Sequence, residues 1–260
     1  MARYDFKSPR LFVEAALAGD RAVALEKPQA HYLTNVLRLK AGDTVLLFNG
    51  KDGEWQAELA VAGKKVSLAL QKRTREQPAP HDLHYLFAPL KHERLDYMMR
   101  KAVEMGATRL VPVLTQHTQV NRVNTERMRA NAIEAAEQCG VLAIPDIAEP
   151  MTFGRMLGAR NPDRLLVFCD EDATVKDPVV ALNDARPKPE AALPVAIQNA
   201  PQPIAVLIGP EGGFAEEERA ALLQQPNIVR LSLGPRILRA DTAAVAALAM
   251  VQAVLGDWKA

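Results

Sequence analysis

The sequence predicts an α/β protein, a parallel sheet with helices on both faces, preceded by a small β-barrel. Three observations predict it. The apolar runs LHYLFAPL (83–90), TRLVPVL (108–114), DRLLVFCD (163–170), IAVLIG (204–209) and IVRLSLG (228–234) alternate with helical stretches. Strands buried on both faces read this way. Five shorter β-like runs crowd the first 75 residues around a single helical stretch, the pattern of a small barrel. Between the two patterns lies RTREQPAPHD (73–82), where Pro78 and Pro80 interrupt any regular element. The expected division is a barrel over residues 1–75 and an α/β domain over 76–260, one to two domains being usual for this length.

The barrel strands are RLFV (10–13), AVAL (22–25), TVLLFN (44–49), EWQAELAVA (54–62) and KVSLALQ (65–71), with turns at GKDG (50–53) and Gly63-Lys64. HYLTNVLRL (31–39) reads as the helix among them. In the second domain a helix over 91–105 carries Leu95, Met99 and Ala102 on one stripe and stops at Gly106; another, near 126–139, stops at Gly140. Met98 and Met105 read as core, and Arg100 with Glu104 as a surface ion pair four residues apart. ARPKPEAALPVAIQNAPQP (185–203), with five prolines, reads as a surface insertion between two strands. The final helix opens near Asp241-Thr242, either of which suits an N-cap. It is apolar on most sides, so it is either central to the fold or packed against another subunit.

Hydrophobic residues at 48% and charged residues at 24% exclude a disordered or fibrous chain. The net charge of +1 hides an asymmetry: residues 1–75 hold 13 basic and 8 acidic residues, residues 130–260 hold 11 and 17. The first half is the better candidate for a polyanionic partner. Cys139 and Cys169 sit in apolar stretches and form no disulfide framework or metal cluster. The five histidines (31, 81, 84, 92, 117) have no ligand spacing, so no metal is assigned. MARYDFKSPR lacks the apolar core of a signal peptide, and AAVAALAMV (243–251) is too short to span a bilayer. A cytoplasmic protein without membrane attachment is expected.

Two stretches carry chemistry. In IAVLIGPEGGFAEEERAALL (204–223) a buried strand runs through Gly209-Pro210-Glu211-Gly212-Gly213 into a helix beginning with Glu216, Glu217 and Glu218. Paired glycines let backbone approach a ligand. Three carboxylates at the helix start disfavour a phosphate there, so a ligand neutral or cationic at its reactive end fits better. LSLGPRILRADTAAVAALAMVQAVL (231–255) repeats the plan: strand, Gly234-Pro235 turn, Arg236 and Arg239, then Asp241 at a helix start.

IGPEGGF followed by LGPRILRADTAA resembles the signature of the 16S ribosomal RNA uracil-N3 methyltransferases, a family of the SPOUT class of knotted S-adenosylmethionine-dependent enzymes. RLFV (10–13), HYLTNVLRLKAGD (31–43), KHERLDYMMRKAVEMGATRLVPVLTQHT (91–118) and RMRANAIEAAEQCG (127–140) resemble it too, so the likeness covers nearly the whole chain. It implies a PUA-like N-terminal barrel that binds RNA, a C-terminal deep trefoil knot, and a homodimer with each active site at the subunit interface. It implies that the cofactor lies between three loops: Phe168, Asp170 and Glu171; Ile208, Gly209, Pro210, Gly212 and Gly213; and Leu231, Leu233, Gly234, Pro235 and Leu238. The chain departs from the family at Ala240-Asp241, where Thr-Glu is common, at Val141, where an Arg is usual, and in the longer insertion at 185–203.

The implied reaction moves a methyl group from a sulfonium to uracil N3 in the small-subunit rRNA. That nitrogen becomes a nucleophile once a base removes its proton or donors stabilise the anion. Glu211 or Asp241 are the candidate bases, and Arg236 and Arg239 the candidate stabilisers of charge at O2 or O4. A target base in folded RNA must be met splayed out. Arg10, Arg38 and Lys40 in the barrel, with Lys91, Arg94 and Lys101 along one helix face, are the candidate contacts to RNA phosphates. A related enzyme acting on a ribose 2′-hydroxyl or a tRNA base, and a non-catalytic ribosome-binding protein on the same fold, are the alternatives.

Overall fold

A computed structural model describes residues 5, 7–19, 21–63, 65–79, 81–120, 122–170, 172–186 and 202–258. The chain divides into two compact units, residues 1–79 with 136–144, and residues 80–135 with 145–260. Most of the proline-rich stretch at 185–203 lies outside the described residues, as does Glu171.

The first unit contains β1 (Arg10–Phe12), β2 (Ala22–Ala24), α1 (Lys27–His31), β3 (Thr44–Phe48), β4 (Glu54–Ala62) and β5 (Lys65–Arg75). The strands form one sheet in the order β1-β3-β4-β5-β2, with β1 parallel to β3 and the other pairs antiparallel. β5 runs to Arg75 rather than fading into the linker at 73, because Trp55 and Glu54 of β4 pair with Arg73 and Arg75. Helix α1 starts four residues before the apolar pattern. Pro28 occupies its first turn, and the Gln29 side chain accepts from the Glu26 N–H at 3.2 Å. It continues as a wider π-type turn over Tyr32–Val36 and stops where Arg38 takes φ 57°. Leu33, Val45, Leu47, Ala57, Leu59 and Leu68 fill the core of this unit.

The second unit holds β6 (Leu83–Phe87), α2 (His92–Glu104), β7 (Arg109–Leu114), α3 (Thr125–Cys139, whose last residues group with the first unit), β8 (Asp146–Ile147), β9 (Met151–Thr152), α4 (Phe153–Ala159), β10 (Leu165–Cys169), α5 (Pro178–Asp184), β11 (Ile204–Ile208), α6 (Glu216–Leu223), β12 (Ile228–Leu231) and α7 (Ala240–Val254). All its strand pairs are parallel, in the order β12-β10-β11-β6-β7-β8, with β9 also on β7. Leu165 and Val167 of β10 join α2, α5 and α7 on one face; Leu166 and Phe168 join α4 and α6 on the other. Both faces being dry is the reason the strands show no polar alternation.

Helix α7 is central. Eight of its side chains are buried, six of them alanines or valines, and it packs on α2, α5 and β11. Its N-cap is Arg239 rather than Asp241 or Thr242; Asp241 lies in the first turn, where its Oδ1 accepts from the Thr242 N–H at 3.0 Å. Near its end the fully buried Gln252 donates to the Met105 carbonyl at 2.7 Å and accepts from the Asp257 N–H at 3.2 Å. The expected Arg100–Glu104 pair is absent. Glu104 is held by Lys101 at 2.7 Å, and Arg100 faces Glu134 of α3 at 3.9 Å. Cys139 is exposed rather than apolar in setting, and neither cysteine is in a disulfide.

At the N-terminal end of β6, Arg164 grips Asp82 at 2.7 Å, and His84 lies 3.2 Å from the same carboxylate. Arg164 holds the Asp82 carboxyl below the usual range, while burial, with Arg164 adding to it, pushes His84 down to about 4. A histidine kept neutral in the fold is protonated first in the unfolded chain, so stability is lost as pH falls from 6.5 towards 4. Wild type is expected to lose melting temperature relative to His84→Gln over that window. Parallel curves from calorimetry would refute the assignment.

Candidate functional site

Neighbouring parallel strands end side by side, so the order β12-β10-β11 brings together the turns after Cys169, Ile208 and Leu231. Crevices outside strand carboxyl ends are where open α/β sheets bind ligands. Ile208 and Leu231 are buried at the last positions of their strands, Leu233 and Leu238 are half-buried against the α7-side core, and Gly234 and Pro235 are exposed. Gly234 has φ 93°, and a Cβ built on it would meet nothing within 4 Å, so there is open space beside this turn.

The glycines of the other turn have unlike reasons. The Phe214 ring lies over Gly209, where a Cβ would come within 2.8 Å of it. Phe214 in turn meets Phe168 edge-on at 5.5 Å and Phe153 at 6.2 Å. Gly212 faces His117, with a virtual Cβ only 3.4 Å from the His117 Cβ, and Gly213 has φ 71°. Gly209→Ala is therefore expected to cost about 1–3 kcal/mol by overpacking the phenylalanine cluster, and Gly212→Ala about 0.5 kcal/mol or less. Urea titration of both variants measures the difference, and equal losses would contradict it.

The turn is tied to the loop after β7 at two points. Glu218 accepts from the Ala215 N–H at 3.1 Å through one oxygen and from the Gln116 N–H at 2.9 Å through the other. The His117 Nδ1 lies 3.2 Å from the Gly213 carbonyl. Of the three carboxylates at the start of α6, Glu218 thus satisfies one free N–H group at its helix N-terminus and one in the loop after β7.

Phe168 and Asp170 border a cavity of about 290 Å³, and both are also engaged inside the fold. The Asp170 carboxylate is almost fully buried and accepts from Arg230 at 2.7 Å, from Arg219 at 3.2 Å and from the Asp172 N–H at 3.1 Å. Burial raises its proton affinity, but the two guanidiniums more than offset this and hold the carboxyl below its usual range. Its oxygens organise the loop. The Phe168 ring points to the α4–α6 face and fills core.

Beside the glycine turn opens a cavity of about 380 Å³, inside the usual span of roughly 300–1,000 Å³ for small-molecule sites. Lys91, which caps α2, and Glu93 and Arg94 of its first turn form one wall, and His117 and Gln119 another; Pro210 and Glu211 complete it. Glu211 is paired with Arg94, and Arg239 approaches the same oxygen at 3.8 Å. Arg236 is exposed, and Asp241 is half-buried.

The six expected phosphate contacts differ. Arg10 is buried: its Nε donates to Glu54 at 3.0 Å and its Nη2 to the Asp5 carbonyl at 2.9 Å. That geometry withdraws it from any partner in solution. Lys101 is engaged by Glu104 and stands 5.7 Å from the Tyr97 ring centroid, and Arg94 by Glu211. Arg38, Lys40 and Lys91 are exposed. His117 is the residue the sequence did not single out; a lone histidine after a strand carries no local signal. Among the described residues no three His, Cys, Asp or Glu side chains are grouped to hold a metal, and no helix is long and apolar enough to cross a membrane.

The family model of the RNA methyltransferase domain matches residues 77–252, and that of the RNA methyltransferase PUA domain matches residues 25–67. The chain belongs to the RNA methyltransferase family. Ribosomal RNA small subunit methyltransferase E of Rickettsia conorii is 30% identical to this RNA methyltransferase over 248 residues, covering 95% of this chain and 96% of the relative. A Legionella pneumophila protein described as a methyltransferase, solved in complex with the bound cofactor SAM, is 26% identical with a TM-score of 0.77, covering 96% of this chain and 99% of the other. The Neisseria gonorrhoeae ribosomal RNA small subunit methyltransferase E, bound to S-adenosyl methionine, shares the fold at a TM-score of 0.78, with 24% identity and coverage of 96% and 99%. The PUA-domain match lies within the first unit, and most of the methyltransferase-domain match lies within the second.

Proposed function

We propose that this RNA methyltransferase methylates N3 of a uridine in the 16S ribosomal RNA of the small subunit, with S-adenosylmethionine as donor. The observation that carries the reading is the meeting of three strand-end turns, one of which, through Pro210 and Glu211, borders a cavity also lined by Arg94 and His117. When bound, the donor supplies a methyl group on a sulfonium. The residues fit it: Ile208, Gly209, Pro210, Gly212 and Gly213 form one side, and Leu231, Leu233, Gly234, Pro235 and Leu238 the other. Apolar side chains and turn backbone suit a neutral adenine and ribose, and the open space beside Gly234 leaves room for them. Position β10, between two later strands, supports a trefoil knot in the C-terminal half.

Arg239 and Arg236 stabilise charge developing on the uracil oxygens. Glu211 sets the approach of Arg94 and Arg239 through their ion pairs. Asp241 orients the start of α7 through its bond to the Thr242 N–H. Arg38, Lys40 and Lys91, being exposed, hold RNA phosphates. The enzyme works as a cytoplasmic homodimer, with the exposed Ile237 of the last turn facing the partner. The test is methyl transfer from labelled S-adenosylmethionine to assembled small subunits, free 16S rRNA and tRNA, with mass-spectrometric mapping of the product. N3-methyluridine in 16S rRNA is expected. A ribose-methylated or tRNA product, or cofactor binding without transfer, would overturn the reading.

A further inference from the structure

We propose that His117 takes the N3 proton from the acceptor uracil, an inference that rests on the activity proposed above. The geometry begins with its ring. Nδ1 lies 3.2 Å from the Gly213 carbonyl oxygen, and a carbonyl can only accept, so Nδ1 carries the hydrogen. In a neutral imidazole this leaves Nε2 with the free lone pair. The same backbone contact orients the ring, the role a third group plays for a base in an acid–base pair.

His117 lines the 380 Å³ cavity. It also borders the neighbouring cavity of about 290 Å³ that lies against Phe168 and Phe214. The charged groups around it are, from the cap and first turn of α2, Lys91, Glu93 and Arg94, and, from the glycine turn, Glu211. On the other side stand Glu216 and Arg219 of α6 with Asp170 and Asp172. Glu211 is spent on Arg94 and Arg239, and protonating it would cost those pairs. Asp170 is spent on Arg219 and Arg230. Asp241 does not line the cavity. Glu93 is an exposed carboxylate in the first turn of α2. An efficient base titrates near the operating pH, which favours an imidazole over a hydrated carboxylate.

The step balances without a further reactant. The N3–H bond breaks with its electron pair left on nitrogen, and that nitrogen bonds the methyl carbon. The methyl–sulfur bond breaks, its pair neutralising the sulfonium. The proton rests on Nε2 and passes to solvent.

The experiment has two arms. In the first, ¹⁵N-histidine spectra of the whole protein are recorded with and without uridine 5′-monophosphate, the His117 ring being assigned by its loss in His117→Asn or His117→Gln. An Nδ1–H tautomer whose Nε2 signal moves with the nucleotide is expected. In the second, His117→Asn, which keeps a donor for Gly213, should retain cofactor binding, lose kcat by roughly 10²-fold, and lose the acid limb of the wild-type kcat–pH profile. A variant within threefold of wild type with that limb intact overturns the proposal, as does a ring signal the nucleotide leaves unmoved. Wild-type protein that transfers no methyl group to any RNA is a failure of the proposed activity and removes the base role with it, whereas a moved ring signal would still establish the nucleotide contact.

Discussion

Glu54→Ala is expected to destabilise the first unit by about 3–5 kcal/mol, the cost of leaving a buried charge without its counterion. The Glu54 carboxylate accepts from Arg10 at 3.0 Å, from Arg75 at 3.0 and 2.7 Å and from the Thr74 hydroxyl at 2.9 Å. The Arg10 side chain is only 6% exposed, so without Glu54 its guanidinium loses its counterion and keeps only the Asp5 carbonyl. Burial pushes the Glu54 carboxyl up, but the hydrogen bonds from Arg75 and Thr74 outweigh it and hold it below the usual carboxylate range. The stability it adds is therefore present near neutral pH and drains away in acid. Replacing Arg10 and Glu54 together by Leu should recover part of the loss, since an apolar pair leaves fewer stranded charges. Denaturant unfolding measures both, and a loss under about 1 kcal/mol for Glu54→Ala would mean that water reaches the pair.

Arg239→Ala should lower turnover by roughly 10²-fold, as the loss of one preorganised donor to a developing anion does, with little change in RNA affinity. Arg38→Ala with Lys40→Ala should do the reverse. Exposed cations that meet phosphates raise affinity in a salt-dependent way, so the double variant should show a higher KM for RNA and a shallower slope of log affinity against log salt, with near-normal turnover at saturation. Steady-state kinetics on small-subunit RNA at several salt concentrations separates the two. If Arg239→Ala raises KM and spares kcat, Arg239 is a docking residue instead.

The strands were legible because burial on both faces leaves no polar residue to confuse the pattern, as in Leu165–Cys169 and Ile204–Ile208. Helix α4 and helix α5 escaped the periodicity because each has seven residues, under two full turns of signal. Their caps were nonetheless written locally, Thr152 accepting from Arg155 and Asp177, ahead of Pro178, accepting from Val179. The site was half legible. Glycine-rich turns announce themselves, but whether Gly209 serves a ligand or the Phe214 ring depends on how the turn packs. Arg10 read as a surface cation because its partner, Glu54, lies 44 residues away. The grouping of residues 136–144 with the first unit has no local signature at all.

The placing of β10 between β11 and β12 has a consequence for how this chain comes off the ribosome. When Cys169 emerges, neither flanking strand exists yet; Ile204–Ile208 must follow, and then Ile228–Leu231. At about 5–20 residues per second, the second partner arrives several seconds later. Until Ile208 emerges Leu165–Cys169 is a bare apolar strand with two open edges, and until Leu231 emerges one edge stays open, a template for pairing with a neighbouring nascent chain. The crevice proposed for the methyl donor, which needs all three strand ends, cannot form before Leu231 has emerged.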